Sequence, residues 1–201
     1  MLGEPIRDRR AERHERTKAE ILDAAWEVAR AEGLAGLTLR DVARKVGMRP
    51  PSVYSYFDSK HAIYDAMYAQ GCREFLDRGT RLALTGDPLR DLTTGSRMFV
   101  GFCVEDPARY QLMFQRTIPG FEPSAESYAL AVQALETTGA RLAQIGIADP
   151  GAMDMLTALT TGLADQQISN DPGGDRWLKL VDEAMEMFFA HIRNRTHGRT
   201  H

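Results

Sequence analysis

The chain has 201 residues, of which 43% are hydrophobic and 26% are charged, and its formal net charge is −3 at pH 7. This length suits one large or two small domains, and the apolar fraction is sufficient to bury a core. No apolar run approaches the ~20 residues that cross a bilayer, and the charged N-terminus lacks the apolar region of a signal peptide. We therefore expect a cytoplasmic protein with no membrane partner.

The distribution of charge along the chain is uneven. Residues 1–60 carry 12 Lys and Arg against 10 Asp and Glu, a net charge of +2, whereas residues 61–201 carry 13 against 18, a net charge of −5. A slightly basic front on an acidic body is compatible with a front that faces nucleic acid. Solvated helix faces produce similar differences, so the charge alone does not decide the function.

The cysteines and histidines do not indicate a metal or catalytic centre. Cys72 and Cys103 are the only cysteines, and the five histidines are scattered, so neither a disulfide framework nor zinc-ligand spacing is present. The only H-x-x-x-H spacing, His197 and His201, lies in the C-terminal tail, and no G-x-S-x-G motif or Walker-type loop occurs. We predict no metal and no cofactor.

Almost every segment predicts helix, and no stretch alternates with the period of a β-strand. The arginine-rich residues 1–16 predict a flexible basic arm. Thr17 and Glu20 form a capping box, which predicts the start of the first helix. Gly33 and Gly36 predict its end.

Next, a short helix is predicted to begin after Thr38 and to end at Gly47, which suits a left-handed residue. Two prolines follow. Proline is tolerated in the first turn of a helix, where the backbone N–H has no partner. Because the residue before a proline avoids the helical region, we expect Pro50 as the cap and Pro51 as the first residue of a two-turn helix over residues 51–57.

Later boundaries are predicted by capping residues, Asp-Pro pairs and a loop rich in proline and glycine. In chain order they are Ser59, Asp87-Pro88, Asp106-Pro107, the loop 116–124, Gly146, Asp149-Pro150 and the turn 170–174, after which Asp175 caps the last helix. The tail, residues 196–201, is expected to be disordered.

The two short helices around Gly47 fit a helix-turn-helix. Ala43 is the small residue that such a motif needs where its helices cross, and Gly47 allows the sharp turn. Val53 and Phe57, four residues apart, are suitable apolar anchors beneath the second helix. The outward residues of that helix can then enter a DNA major groove, which is roughly 12 Å wide.

The stretch LTLRDVARKVGMRPPSVYSYFDSKHAI, residues 37–63, resembles the DNA-binding signature of the TetR/AcrR family of transcriptional regulators. The matching positions are Thr38, Val42, Ala43, Val46, Gly47, Met48, Ser52, Val53, Tyr54, Tyr56, Phe57, Ser59, Lys60 and Ile63. The resemblance implies an all-α fold with an N-terminal three-helix helix-turn-helix head, residues 1–60, on a larger helical-bundle body for ligand binding and dimerisation, residues 61–195. Arg49 departs from the signature, which usually has Ser or Thr there as a cap worth ~1 kcal/mol.

The resemblance also implies DNA contacts residue by residue. Hydroxyls and an ammonium would hold phosphates without reading bases, and these belong to Thr38, Tyr54, Tyr56 and Lys60. The residues that would face the groove, where arginine can bind guanine with two hydrogen bonds, are Arg40, Arg49, Pro50, Pro51, Ser52 and Ser55. The basic arm would reach a neighbouring groove or backbone. Each residue alone also fits an ordinary surface or core position, and for Phe57 a core position is the main interpretation.

Members of the family dimerise through their last two long helices, here residues 150–169 and 175–193. A dimer would place two recognition helices about 34 Å apart, one turn of DNA, and would therefore bind double-stranded, pseudo-palindromic operator DNA. Small residues in the first helix and apolar residues around the second fit close packing against a partner. An ordinary buried core would produce the same pattern.

Soft, aromatic and flexible residues in the body are candidates for an effector pocket, although such stripes also form ordinary cores. The candidates are Phe99, Phe102, Cys103, Tyr110, Met113, Phe114, Tyr128, Gln166 and Trp177. We expect a repressor, not an enzyme, that a small, largely apolar effector releases from its operator. Two alternatives stay open: an effector-independent architectural or partner-recruiting DNA-binding protein with a collapsed body, and an all-helical enzyme whose side chains converge from distant positions.

Overall fold

The computed structural model describes residues 9–198, which form nine α-helices and no β-strand. The helices are α1 (Arg9–Gly36), α2 (Leu39–Lys45), α3 (Pro50–Val53), α4 (Lys60–Thr80), α5 (Pro88–Glu105), α6 (Pro107–Phe114), α7 (Ala125–Gln144), α8 (Pro150–Asn170) and α9 (Val181–Gly198), with a 3-10 turn at Leu178–Leu180. The predicted all-α fold class is confirmed. No helix within residues 9–198 is both long and apolar enough to cross a membrane.

Capping side chains begin five helices at the predicted boundaries. Thr38, Ser59, Asp87, Asp106 and Ser124 each accept a hydrogen bond from the backbone N–H three residues further on, over 2.8–3.2 Å. Such a bond satisfies one of the N–H groups that the first turn of a helix leaves without a partner. Local capping chemistry therefore fixes where most of these helices start.

Helix α1 begins earlier than the sequence predicted. Residues 9–16, expected to belong to a flexible arm, are helical, and Thr17 lies inside the helix instead of capping it. The ring of His14 stacks on that of Tyr56, with 4.6 Å between centroids, so a contact with the rest of the head supports this extension. The first part of the expected arm, residues 1–8, lies outside the described residues.

Helix α3 is shorter than the two turns predicted over residues 51–57. Pro50 is its first residue, and Arg49 occupies the cap position with an extended backbone and no capping side-chain hydrogen bond. The helix ends after one turn at Val53, whose carbonyl accepts a hydrogen bond from the N–H of Phe57 at 3.0 Å. The second turn is thus a hydrogen-bonded turn and not a regular helix.

The C-terminal boundaries also differ from the predictions. Asp175 does not cap the last helix, because the 3-10 turn Leu178–Leu180 precedes α9. The backbone of α9 continues to Gly198, so residues 196–198 are helical and not disordered as expected. Residues 199–201 lie outside the described part of the chain.

Two apolar clusters organise the molecule. The first joins α1–α3 to the start of α4 and includes Val53 and Phe57, which are buried beneath α3 as predicted. Ala108 and Leu112 of α6 pack into the same cluster. The second cluster lies among α5, α8 and α9. Helices α4 and α6 have residues in both clusters. These two helices therefore connect the body, α4–α9, to the head, α1–α3.

Candidate DNA-binding head and effector cavity

Helix α3 buries one side and exposes the other. Val53 is fully buried, whereas Arg49 and Ser52 are exposed and Tyr54 is 51% exposed. Among the predicted DNA contacts, the exposed residues are Thr38, Arg40, Arg49, Pro50, Pro51, Ser52, Tyr54 and Ser55, and the partly buried ones are Tyr56 and Lys60. Eight of the ten predicted contacts are therefore exposed, on α2, on α3 and in the segments next to them.

The cations of the head differ in whether a carboxylate already neutralises them. Lys45 pairs with Glu27 at 2.7 Å, and Arg44 pairs with Asp41. Within residues 9–198, by contrast, neither Arg40 nor Arg49 has an ion-pair partner. Exposed guanidinium groups without a counter-ion can bind phosphate or guanine without first breaking an ion pair.

Several predicted phosphate contacts already have partners within the head. The hydroxyl of Thr38 accepts a hydrogen bond from the Asp41 N–H and donates one to its carboxylate. The Lys60 ammonium donates to the carbonyl of Ala35 at 3.0 Å, near the end of α1. An ammonium has three donors, so this bond orients Lys60 and leaves two donors for a second acceptor.

In the body, the five helices α4–α8 surround a cavity of about 570 Å³. Its aromatic wall contains Phe75, Phe99 and Phe114, whose rings meet edge to face with centroids 5.4–6.5 Å apart. Most of the remaining lining is aliphatic. A cavity of this volume and composition is suitable for an apolar ligand of drug-like size.

The predicted effector residues lie in three different places. Four of them line this cavity: Phe99, Met113, Phe114 and Tyr128. Three are instead buried in packed interior away from its lining: Phe102, Cys103 and Tyr110. For example, the guanidinium of Arg109 lies 3.7 Å from the centroid of the Phe102 ring, and burial raises the pKa of the Cys103 thiol to about 12. Some apolar residues of a helix line the cavity and others pack into the core. The spacing of apolar residues in the sequence does not distinguish the two.

The other two candidates, Gln166 and Trp177, line a separate groove between α8 and α9, and not the cavity. Small residues of α8, Ala158 and Gly162, form one side of this groove, and Met187 of α9, 60% exposed, lies on the other. The Trp177 Nε1–H is buried and has no hydrogen-bond acceptor within the described residues. This open apolar groove lies on the two helices that were predicted to dimerise.

Two charged groups on the cavity wall were not predicted. The Asp91 carboxylate accepts hydrogen bonds from the N–H and O–H groups of Thr85 and the N–H of Gly86, at 2.7–2.9 Å. These bonds, the Thr85 N–H first, hold the pKa of Asp91 below its usual value. Arg141 donates to the carbonyl of Gly79 at 2.8 Å. In sequence, both residues look like ordinary polar positions of solvated helices, so no local signal marks them.

Residues 9–198 contain no group of three His, Cys, Asp or Glu side chains that could hold a metal ion. The exposed helix α3 and the helical body with its internal cavity have the arrangement found in helix-turn-helix regulatory proteins. Residues 21–67 match the family model for bacterial regulatory proteins of the tetR family. The N-terminal part of the chain is therefore similar to the TetR family of DNA-binding transcriptional regulators.

Two curated relatives agree with this assignment. The chain is 27% identical over 95 residues to the uncharacterised HTH-type transcriptional regulator YobS of Bacillus subtilis, covering 47% of this chain and 50% of the relative. It is 28% identical over 123 residues to the HTH-type transcriptional regulator Rv1816 of Mycobacterium tuberculosis, covering 56% and 50%. The chain thus spans about half the length of the curated relatives that it matches.

Solved structures share the fold over most of the chain. The putative regulatory protein SCO4313 superposes with a TM-score of 0.72 and 20% identity, over 90% of this chain and 98% of that protein. The regulator FadR of Bacillus subtilis, in complex with stearoyl-CoA, gives a TM-score of 0.62 and 18% identity, over 85% and 96%. At these identities, the similarity extends to the fold alone.

Proposed function

We propose that this protein is a homodimeric transcriptional repressor of the cytoplasm that binds pseudo-palindromic double-stranded DNA through α2 and α3. A small, largely apolar effector in the body cavity then releases it from the DNA. The observation that carries the proposal is the geometry of α3, which exposes Arg49 and Ser52 while the fully buried Val53 anchors its other side.

The DNA contacts divide by their chemistry. The unpaired guanidinium groups of Arg40 and Arg49 are suited to base edges, because arginine binds guanine with two hydrogen bonds. Tyr54 and Lys60 are suited to phosphates, which set the register without reading the sequence. Arg49 replaces the usual capping hydroxyl, and Pro50 provides the backbone angle that a helix start requires.

Dimerisation follows from the size of the head and from the α8–α9 groove. A one-turn recognition helix offers little surface, so specific binding needs a second copy one DNA turn away. In the groove, a partner would cover Met187 and could offer an acceptor to the buried Trp177 N–H, which has none within the described residues. Small residues on α8 would let the helices approach closely.

The effector would act through α4. This helix begins against the head, where Ile63 and Tyr64 are fully buried, and continues to the cavity, where Tyr68, Cys72 and Phe75 form part of the wall. A ligand that fits the cavity best when α4 is displaced would favour a head position that no longer matches the operator. Only such a difference in affinity between the two states can shift the population.

The alternative, an effector-independent DNA-binding protein, requires a collapsed body. The cavity of about 570 Å³ argues against it. Stearoyl-CoA, the ligand of the similarly folded FadR, also supports an apolar effector here, although the two chains share only the fold.

Selection of binding sites from random duplex DNA tests the proposal. We expect enrichment of two inverted half-sites. Arg49→Ala should relax the base preference at one position of each half-site, whereas Lys60→Ala should weaken binding to all sequences alike and flatten its salt dependence. A pool without any enriched sequence for the wild-type protein would contradict the proposal.

A further inference from the structure

We propose that the cavity binds an amphipathic anion, a ligand with an apolar body and a single carboxylate or phosphate head, and that Arg141 binds that head. This inference rests on the proposed function only in taking the cavity as the effector site. Its basis is a partly buried guanidinium on a largely apolar wall, with no carboxylate among residues 9–198 to neutralise it.

Arg141 lies in the last turn of α7 and reaches across to the end of α4. Its Nη2 donates to the carbonyl of Gly79 at 2.8 Å. A Cβ at Gly79 would lie 3.4 Å from Nη1, an ordinary van der Waals distance, so the guanidinium packs directly against the end of α4. A guanidinium has five N–H donors, and this hydrogen bond is the one that Arg141 makes within residues 9–198, so most of its donors are available.

The other buried or partly buried arginines nearby are neutralised. Arg109 pairs with Glu74 at 2.7 Å, and Arg78 pairs with both Glu74 and Glu105. Arg141 has no such carboxylate within the described part of the chain. A cation that is partly removed from water needs a counter-charge or a full set of acceptors. An anionic ligand head would supply both through a charge-assisted, two-pronged hydrogen bond.

Asp91 is the other charged group on the cavity wall. It attracts a cationic ligand less strongly than Arg141 attracts an anionic one. Three hydrogen bonds from its own loop already satisfy its carboxylate oxygens. That carboxylate therefore serves to hold the loop 85–86 at the start of α5. Among the described lining residues, Arg141 is the only cation, so it alone can select for charge by attraction to an anion.

The remainder of the wall defines the body of the ligand. Phe75, Phe99 and Phe114 provide aromatic surface, and Leu142 and Leu156 provide aliphatic surface. The hydroxyl of Thr160, also on the wall, donates to the Leu156 carbonyl of its own helix at 2.8 Å. Other polar groups on the wall, such as Gln144 and Tyr128, are uncharged, so Arg141 is the group that distinguishes a ligand with one anionic end.

Four ligands with the same ten-carbon chain test the inference: decanoate, decyl phosphate, decan-1-ol and decylammonium. Their binding to the full-length protein is measured by calorimetry below their micelle concentrations, in the absence of DNA. We expect one or both anions to bind at least about tenfold more tightly than the alcohol, as a charge-assisted hydrogen bond allows. Which anion binds more tightly identifies the head group.

Arg141→Gln should abolish the preference for the anion over the alcohol, and Arg141→Lys should restore part of it. Arg81→Gln is the matched control, because Arg81 is an exposed arginine at the end of α4, paired with Asp77 and absent from the cavity wall. This control should keep the full preference. Binding of the alcohol to Arg141→Gln shows that the cavity of that variant is intact.

Equal binding of all four ligands, tighter binding of decylammonium, or no binding of either anion would overturn the inference. If the wild type prefers the anions over the alcohol and Arg141→Gln does not, the inference is supported, even if the ligand leaves DNA binding unchanged. In that case only the proposed release from the operator would fail, so the two proposals can be distinguished.

Discussion

Arg30 on α1 donates two hydrogen bonds to Oδ2 of Asp106, from Nε at 3.0 Å and from Nη2 at 2.7 Å. The second carboxylate oxygen of Asp106 accepts the backbone N–H of Arg109 and caps α6. At the other end of this eight-residue helix, Met113 and Phe114 lie on the cavity wall. Helix α6 therefore joins the cavity to the head by a second route, parallel to α4.

We predict that Arg30→Gln weakens communication between the cavity and the head. The variant keeps the cap of α6 but loses the ion pair, so the operator affinities with and without effector should become more alike, by about 0.5–2 kcal/mol in coupling free energy. Fluorescence anisotropy with labelled operator measures both affinities. Lys45→Gln, which removes an ion pair within the head, is the control and should leave the coupling unchanged. The same coupling in both variants would exclude this route.

Replacement of Arg109 by Met should destabilise the protein. Arg109 is buried, pairs with Glu74 at 2.7 Å and donates to the Phe102 carbonyl at 2.8 Å. The substitution removes the donor to the buried Phe102 carbonyl, which costs about 1–3 kcal/mol, whereas breaking the exposed pair of Arg81 with Asp77 costs about 1 kcal/mol or less. Chemical denaturation of Arg109→Met and Arg81→Gln compares the two, and similar losses would show that Arg109 has no special structural role.

Asp91→Asn should make the protein less stable in a pH-dependent manner. Hydrogen bonds from Thr85 and Gly86 lower the pKa of Asp91 in the folded state. Its contribution to stability is therefore complete above the unfolded pKa of about 3.9 and is lost as the pH falls through the lower folded pKa. Thermal melting between pH 7 and pH 3 should show a difference from the wild type that is constant near neutrality and shrinks in acid. A difference independent of pH would contradict this explanation.

Met187→Glu should convert the dimer into a monomer. Met187 is 60% exposed on the α8–α9 groove, and a dimer would bury the new carboxylate without a partner. Light scattering should give twice the 22.4 kDa chain mass for the wild type and the single mass for the variant. Met187→Leu, which keeps the apolar surface, should remain a dimer. A monomeric wild type at micromolar concentration would remove the basis for the two-fold operator.

Much of the fold could be predicted from local chemistry. Thr38, Ser59 and Asp87 cap the helices that they were expected to cap, and Gly47 has the expected positive φ of 68°. These features depend on residues close in sequence, which is why the pattern shows them. The early start of α1 could not be predicted, because it involves the stacking of His14 on Tyr56, a contact between distant segments.

The cavity was predictable only in part. The spacing of apolar residues identified the correct side of α5 in general but did not separate Phe99, on the cavity wall, from Phe102, in the core. Arg141 could not be identified at all. The importance of Arg141 depends on the absence of a neighbouring carboxylate among the described residues of the folded protein. Such an absence cannot be recognised from the sequence.

Binding of duplex DNA by α2 and α3 is tested by comparing the operator affinities of three proteins. Fluorescence anisotropy should measure binding of the selected operator by the wild type, by the Arg40→Ala/Arg49→Ala double variant, and by Arg81→Ala at the distant end of α4. We expect the double variant to lose at least about tenfold in affinity, since each guanine contact contributes about 1–3 kcal/mol, and Arg81→Ala to bind like the wild type. Equal affinity of all three proteins for the operator would contradict the account.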